Sequence, residues 1–378
     1  MKRRYFTGFL LVVGILLIQG IQTPCHGQSE IIGPYLQSMT HEEVTICWAT
    51  SDGSTQILKD DKVSQHVSQY THHQSIVTRL EPGSTYNYDV LNDGTERGQG
   101  TITTFPGGIE PFRFAVLGDT RTRHDVHQKI VNQIIDKDPL FVVNVGDLVS
   151  NGNSMADWEH FFRINERLIR HVPYYPVLGN HEQDSDHYYR FFSLPGNERY
   201  YFFTVGDALF IILDMEGPDL EAPAYLAGES REAFWTNISR AYFEEERAWL
   251  ENVLNLNDDA GYIFLFTHPT MYSIKSSRVA GAALRRAFWG DIFERHGVTA
   301  VLSGHDHYYH HAAHGGTHYI VTAGGGAPLY NTDAIQPETV AYKKIEHYMT
   351  IDVGAEKTTL KAIDINGNLI EEIVVDRR

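Results

Sequence analysis

Two hydrophobic patterns divide the chain. From Ile31 to about Phe105, short runs of alternating apolar and polar residues, rich in β-branched and aromatic types, are separated by turn residues. Runs such as Val44 to Thr50 and Tyr86 to Leu91 are typical of closely spaced strands, and no useful length of helical periodicity interrupts them. The pattern predicts a small antiparallel sandwich in this part of the chain.

Beyond the Pro106-Gly107-Gly108 turn, apolar strands alternate with amphipathic helices. Phe112 to Leu117 and Leu140 to Val145 are continuous apolar runs, whereas Asp125 to Ile135 carries apolar residues at helical spacing. The alternation continues through most of the remaining chain, which becomes β-rich again toward its C-terminus. This pattern predicts an α/β (α+β) core with an antiparallel closing portion.

The first residues have the layout of a cleaved secretory signal. Met1-Lys2-Arg3-Arg4 precedes an apolar run from Phe9 to Ile18, and polar and small residues follow. The run is shorter than the roughly 20 residues that a membrane-spanning helix needs. We predict a signal peptide over residues 1–27 and a secreted or periplasmic product with no stable membrane span. Lipid attachment at Cys25 is less favoured, because Thr23-Pro24 is a poor lead-in for a lipidated cysteine.

The mature chain then divides into an all-β domain over residues 28–106 and a larger domain over residues 109–378. Cys47 is the cysteine left after signal removal, so an intrachain disulfide cannot form. Cys47 lies in a strand-like run and is predicted to be a core residue. Stability must therefore come from packing, and from metal if the chain binds one.

The 378 residues carry a formal charge of −17, which becomes more negative once the leader is lost. No Lys/Arg-rich run interrupts this charge, so a nucleic-acid duplex or an anionic membrane is an unfavourable partner. An acidic protein can still bind phosphate where metal cations reverse the local field.

Polar residues recur at the C-terminal ends of apolar strands, where ligand sites of α/β sheets gather. Two consecutive strands each deliver a Gly-Asp pair, ending in Asp119 and Asp147, and a third delivers Gly179-Asn180-His181-Glu182. Gly permits a tight turn that leaves the next side chain facing the cleft. One Gly-Asp pair is usually just a turn, but three such segments in order indicate a site.

Histidines complete the set of candidate ligands. His268 follows the apolar run from Phe264, and the segment Gly304-His305-Asp306-His307 offers two imidazoles on alternate residues. Oxygen and nitrogen ligands without thiolates argue against a structural zinc knuckle. Two metal ions sharing a carboxylate can activate water and clamp a phosphate ester. His181 is then the candidate proton donor, because imidazole titrates near neutral pH.

This order of motifs resembles the calcineurin-like metallophosphoesterase superfamily over about residues 112–330. The segment Gly33-Pro34-Tyr35-Leu36-Gln37 and the β-rich N-terminal region resemble purple acid phosphatases and their bacterial relatives. Tyr86 also resembles the corner tyrosine of fibronectin type III-like domains, although an ordinary strand aromatic would look the same. The resemblance implies a four-layer α-β-β-α sandwich preceded by a small fibronectin III-like domain.

The resemblance also implies a division of the ligands between two metal ions, with iron, manganese or zinc all open. One ion would take Asp119 and His307, the other would take Asn180, His268 and His305, and Asp147 would bridge them. His181 would assist the leaving group or stabilise the transition state.

Two positions depart from the family pattern. Many metallophosphoesterases have a histidine where this chain has Arg121, and purple acid phosphatases have a tyrosine where it has Ser150. The first ion therefore lacks one expected ligand on either template. Arg121 could bind substrate phosphate, and surface ion pairing by Arg121 and Arg123 is the alternative. His124 could instead complete the first metal shell.

The function expected from these features is a secreted binuclear phosphoesterase, a phosphomonoesterase with a metal-bridging hydroxide as nucleophile. A phosphodiesterase acting on nucleotides or lipid head groups is the alternative enzyme, and a metal- or glycan-binding protein of low activity is the alternative of another class. The irregular stretch from Glu216 to Tyr242, with Tyr225, Phe234 and Trp235, could select the leaving group or be a surface elaboration. The oligomeric state is left open.

Overall fold

The computed structural model describes residues 31–60, 63–92, 95–217 and 229–378. The predicted signal over residues 1–27, with Cys25, lies outside these ranges. So does Tyr225, and nothing is described of the side chains of Phe234 and Trp235. Among the described helices, none combines the length and apolar character that crossing a membrane requires.

The N-terminal region is all β, as predicted, with strands β1 (Ile31–Gln37), β2 (Glu43–Asp60), β3 (Val63–Thr78), β4 (Thr85–Asn92) and β5 (Thr95–Thr103). Strands β1, β2 and β3 form one antiparallel sheet, and β4 pairs with β5 in another. Cys47 is buried, and burial raises the pKa of its thiol to about 12. It is a core residue, as predicted. The domain boundaries and the fibronectin-like assignment stay predictions.

The rest of the chain supplies thirteen described strands: β6 (Phe112–Leu117), β7 (Phe141–Asn144), β8 (Tyr174–Pro176), β9 (Tyr201–Val205), β10 (Ala208–Ile212), β11 (Tyr262–Thr267), β12 (Ala300–Ser303), β13 (Tyr309–His314), β14 (Thr317–Thr322), β15 (Thr339–Lys343), β16 (His347–Val353), β17 (Lys357–Asp364) and β18 (Leu369–Asp376). They form a six-stranded sheet in the order β18-β17-β16-β6-β7-β8 and a seven-stranded sheet in the order β15-β13-β14-β12-β11-β10-β9. The strands that precede the candidate ligands, β6 to β8 and β10 to β12, are parallel within their sheets.

Five described helices accompany these strands: α1 (His124–Ile135), α2 (Met155–Ile169), α3 (Asp186–Phe191), α4 (Glu229–Leu256) and α5 (Ser276–Arg295). Ser154 caps α2 by accepting a hydrogen bond from the backbone N–H of Asp157, which satisfies one of the free donors at the helix start.

Alternation along the strands creates the layers. In β10 and the residue after it, Phe210 and Ile212 pack into the core between the two sheets, whereas Leu209, Ile211 and Leu213 pack against α4 and α5. Successive side chains of a strand point to opposite faces, so a continuous apolar run is buried on both sides. Helices α1 and α2 cover the outer face of the six-stranded sheet. The predicted four-layer α-β-β-α arrangement is confirmed.

Three elements were not predicted. Strand β13 reads Tyr-His-His-Ala-Ala-His and lacks an apolar pattern, because its histidines bond to polar groups of other elements, His310 to Thr339 and His311 to Glu371. Strand β15 and the six-residue α3 are short and weakly apolar. The prediction of an irregular stretch from Glu216 to Tyr242 was wrong from Glu229 onward, where helix α4 begins. The buried apolar stripe that signals this helix, Leu250, Val253 and Leu254, lies only in its C-terminal part.

Phe141 joins the two sheets and should contribute strongly to stability. Its ring is stacked on Phe114 at 5.0 Å and lies edge-on to Phe210 at 5.0 Å and Phe203 at 5.2 Å. Phe141→Ala should lower the free energy of unfolding by about 3–5 kcal/mol, because it leaves a cavity between rigid layers. Urea denaturation measures the loss. Leu284→Ala is the control, since Leu284 is 73% exposed; equal losses in both variants would contradict the packing argument.

Candidate metal centre

The turns after the strands place the candidate ligands by means of unusual backbone. Asp119, Asp147 and His305 all have left-handed backbone, with φ of 55°, 56° and 68°. Non-glycine residues rarely adopt this conformation, and such strain persists only where the surrounding structure holds it. Here a parallel strand anchors the start of each turn, β6 before Asp119, β7 before Asp147 and β12 before His305.

Glycines are needed at this edge for close approach as well as for turning. A Cβ on Gly146, whose φ is 95°, would lie 2.5 Å from His268 Nδ1. A Cβ on Gly179 would lie 2.5 Å from Asp147 Oδ1. The Gly-Asp and Gly-Asn pairs therefore let neighbouring loops touch, which brings the ligands of separate strands together.

One group of ligand atoms gathers around His268. Its Nε2 lies 3.3 Å from Asp147 Oδ1 and 3.3 Å from His305 Nδ1, and His305 Nδ1 lies 3.0 Å from Asn180 Oδ1. His268 Nδ1 donates to the carbonyl of Val145 at 2.8 Å, which directs Nε2 into the group. A single proton cannot satisfy so many convergent lone pairs, whereas these oxygen and nitrogen donors suit a divalent cation.

The electrostatics of this group also favour a bound cation. Burial would lower the pKa of His268, but the carboxylates of Asp147, Asp119 and Glu216 outweigh burial and raise it to about 9. Burial and the neighbouring His268 lower the pKa of His305. The carboxylates thus favour a positive charge at this position, and a metal cation can supply it.

A second group contains Asp119, Asp147 and His307, whose ligand atoms lie within 4.8 Å of one another. His307 Nε2 is 3.1 Å from Asp119 Oδ1, and His307 Nδ1 donates to the carbonyl of Pro328 at 2.8 Å. Asp119 Oδ1 is buried and accepts no hydrogen bond from any described residue. A buried carboxylate oxygen in this state fits a cation.

His181 lies beside both groups. Its backbone N–H donates to Asp147 Oδ1 at 3.0 Å, and its Nε2 lies 3.9 Å from Asp147 Oδ2. Its Nδ1 donates to the backbone carbonyl of Ser150 at 2.7 Å. That bond fixes the ring so that Nε2 faces the centre, and the imidazole remains partly exposed.

Arg121 lies inside the centre. Its Nε donates to Asp147 Oδ2 at 3.1 Å, its Nη2 is 3.4 Å from His307 Nε2, and its side chain is 15% exposed. Arg123 instead bonds to Glu346 and to the carbonyls of Gly326 and Ala327. His124 stacks on His160 at 5.0 Å and belongs to neither group of ligand atoms.

Sequence reasoning missed Glu216 and the role of Glu182. Glu216 lies with His268 and His305 in a group whose ligand atoms are within 4.8 Å of one another. It follows the C-terminal end of β10, so the rule that found the other ligands also points to it. Glu182 is buried and accepts hydrogen bonds from four backbone N–H groups, those of Asp147, Leu148, Val149 and Gly179.

A family model described as calcineurin-like phosphoesterase matches residues 112–309, a span that contains all six predicted ligands. An uncharacterised protein of Mycobacterium tuberculosis is 25% identical over 272 residues, which cover 62% of this chain and 49% of that protein. Purple acid phosphatase 15 of Arabidopsis thaliana is 24% identical over 300 residues, which cover 68% of this chain and 52% of that protein. The chain thus spans about half the length of the curated relatives it matches.

The fold also has a close counterpart among solved structures. A purple acid phosphatase of yellow lupin (Lupinus luteus) superposes with a TM-score of 0.69 at 15% identity, covering 92% of this chain and 74% of the lupin chain. Because the match covers nearly the whole chain, it includes the β-rich N-terminal region as well as the four layers. At this identity the likeness shows the fold.

Glu182→Gln should lower the free energy of unfolding by about 1–3 kcal/mol, because the amide group turns an NH₂ toward buried backbone N–H donors. The measurement is urea denaturation with a chelator present, so that metal binding does not contribute. A pH of 9 suits it, since burial and the charge of Asp147 raise the pKa of Glu182 to about 8. Glu110→Gln is the exposed control; a Glu182→Gln variant as stable as this control would refute the organising role.

Proposed function

The chain belongs to the calcineurin-like phosphoesterase family, and on that basis we propose that it hydrolyses phosphate monoesters at a centre of two metal ions. The observation that carries the proposal is the convergence of oxygen and nitrogen ligands on the buried carboxylate of Asp147. The names of the Arabidopsis and lupin relatives support the choice of a phosphatase. The predicted leader supports a secreted or periplasmic location.

We propose the division of residues between two ions that the resemblance implies. Asn180, His268 and His305 would hold one ion, Asp119 and His307 would hold the other, and Asp147 would bridge them. When bound, such ions supply Lewis acidity, activate water and screen the charge of a phosphate group. The metal identity, whether iron, manganese or zinc, belongs to this proposal and is open to metal analysis.

His181 would hold the proton for the leaving group. The Ser150 carbonyl accepts the Nδ1 proton, so the proton on Nε2 of the imidazolium is the one that faces the centre. Asp147 Oδ2 lies 3.9 Å from Nε2, so the two side chains form an ion pair when the ring is protonated. The partial exposure of the ring leaves room for an ester oxygen to reach Nε2, as a general acid requires.

His181→Ala should lower kcat for p-nitrophenyl phosphate by roughly 10²–10⁴-fold, the usual contribution of a positioned acid. Bound metal should stay unchanged, because the His181 side chain is outside both groups of ligand atoms. Steady-state kinetics with metal analysis of the same samples checks both points. His41→Ala, an exposed histidine of the N-terminal region, is the control and should leave kcat unchanged.

Unchanged turnover in His181→Ala would refute the proposed acid. A parallel assay with bis(p-nitrophenyl) phosphate decides between ester classes, since we expect the monoester to have the higher kcat/KM. A higher value for the diester would replace the monoesterase proposal with the diesterase. Failure to hydrolyse either ester with manganese, zinc or iron supplied would favour a binding protein.

A further inference from the structure

We infer that the two metal positions are unequal: the position at His268 holds its ion tightly, whereas Arg121 weakens binding at the position of Asp119 and His307. The inference rests on the metal centre of the proposed function, but it concerns metal binding and is tested without substrate. Its failure is therefore distinguishable from a failure of the phosphatase proposal.

At the position of Asp119 and His307, called the first position below, three side chains could bind an ion: Asp119, Asp147 and His307. Arg121 competes with a metal ion for the last two. Its Nε donates a hydrogen bond to Asp147 Oδ2, and its Nη2 lies 3.4 Å from His307 Nε2. His307 Nδ1 donates to the carbonyl of Pro328, so Nε2 is the ring nitrogen whose lone pair is available to a metal. Asp119 Oδ1 is then the ligand atom of this group that has no hydrogen bond from the described residues.

The position at His268 has the opposite surroundings. Asn180, His268, His305 and Asp147 Oδ1 already converge there, and Glu216 adds a carboxylate whose ligand atom lies within 4.8 Å of those of His268 and His305. Glu216 therefore supplies negative charge at the position whose other groups include two imidazoles and an amide.

The charges decide the order of affinity. A fixed guanidinium a few ångströms from a divalent cation repels it, whereas a carboxylate at similar distance attracts it. Even in a partly solvated site such a charge shifts binding by on the order of tenfold or more. Arg121 also supplies part of the positive charge that Asp147 requires, so the protein needs the ion at the first position less.

The test is metal content. Full-length protein loaded with Mn²⁺ and dialysed against metal-free buffer should retain about one equivalent, seen by elemental analysis, with the six-line electron paramagnetic resonance signal of an isolated Mn²⁺ ion. Arg121→His, which exchanges the guanidinium for a neutral nitrogen ligand, should retain about two equivalents and show a spin-coupled spectrum. Arg121→Gln, which only removes the charge, should bind the second ion at least several-fold more tightly than the parent in calorimetric titration.

Two further variants separate charge at the centre from general effects. Arg190→His alters an exposed arginine of α3 and should leave the content at one equivalent. Glu216→Gln should lower the content below one, because it weakens the tight position. Melting temperatures identify any variant that fails to fold, and Arg121→Gln then stands in for Arg121→His. Two equally held ions in the parent, or unchanged metal affinity in both Arg121 variants, would overturn the inference.

Discussion

The buried carboxylate of Asp147 needs positive charge from several directions. Burial alone would raise the pKa of Asp147, but His268, His181 and Arg121 outweigh burial and lower it. A buried anion without such partners would cost several kcal/mol. Three segments bring these groups to Asp147, which follows β7: His268 follows β11, His181 lies in the loop after β8, and Arg121 lies in the turn after β6.

The four layers hold these side chains close to Asp147. Asp147 and His305 keep left-handed backbone because the parallel strands before them are anchored on both faces, by aromatic rings between the sheets and by helices outside. Glu182 then ties the turn after β7 to the turn after β8 through four backbone N–H groups. Strain at the ligands is thus balanced by rigid packing and by one buried acceptor.

The sequence was sufficient to predict elements, and the convergence of the candidate ligands, where a local pattern carries the physical cause. Continuous apolar runs ending in Gly-Asp, Gly-Asn-His and Gly-His-Asp-His predicted the strands of the core and six converging side chains, because the ends of parallel strands share an edge. Strand β13 was missed because its histidines are satisfied by distant partners. The local sequence pattern also could not predict which group Arg121 contacts, because a long side chain can reach solvent, substrate or a neighbouring carboxylate from the same backbone position.

The contact between Arg121 and Asp147 also reduces the dependence of the folded centre on bound metal. In a centre built of carboxylates and neutral imidazoles alone, the apoprotein would hold uncompensated negative charge at both positions. Here a guanidinium belonging to the chain compensates one oxygen of the shared carboxylate, and a raised pKa lets His268 compensate the other while no metal is bound. An ion at the position of Asp119 and His307 would meet the permanent charge of Arg121, which contacts both Asp147 and His307. An ion at His268 would meet no such cation among these contacts, and this difference is the physical origin of the proposed asymmetry.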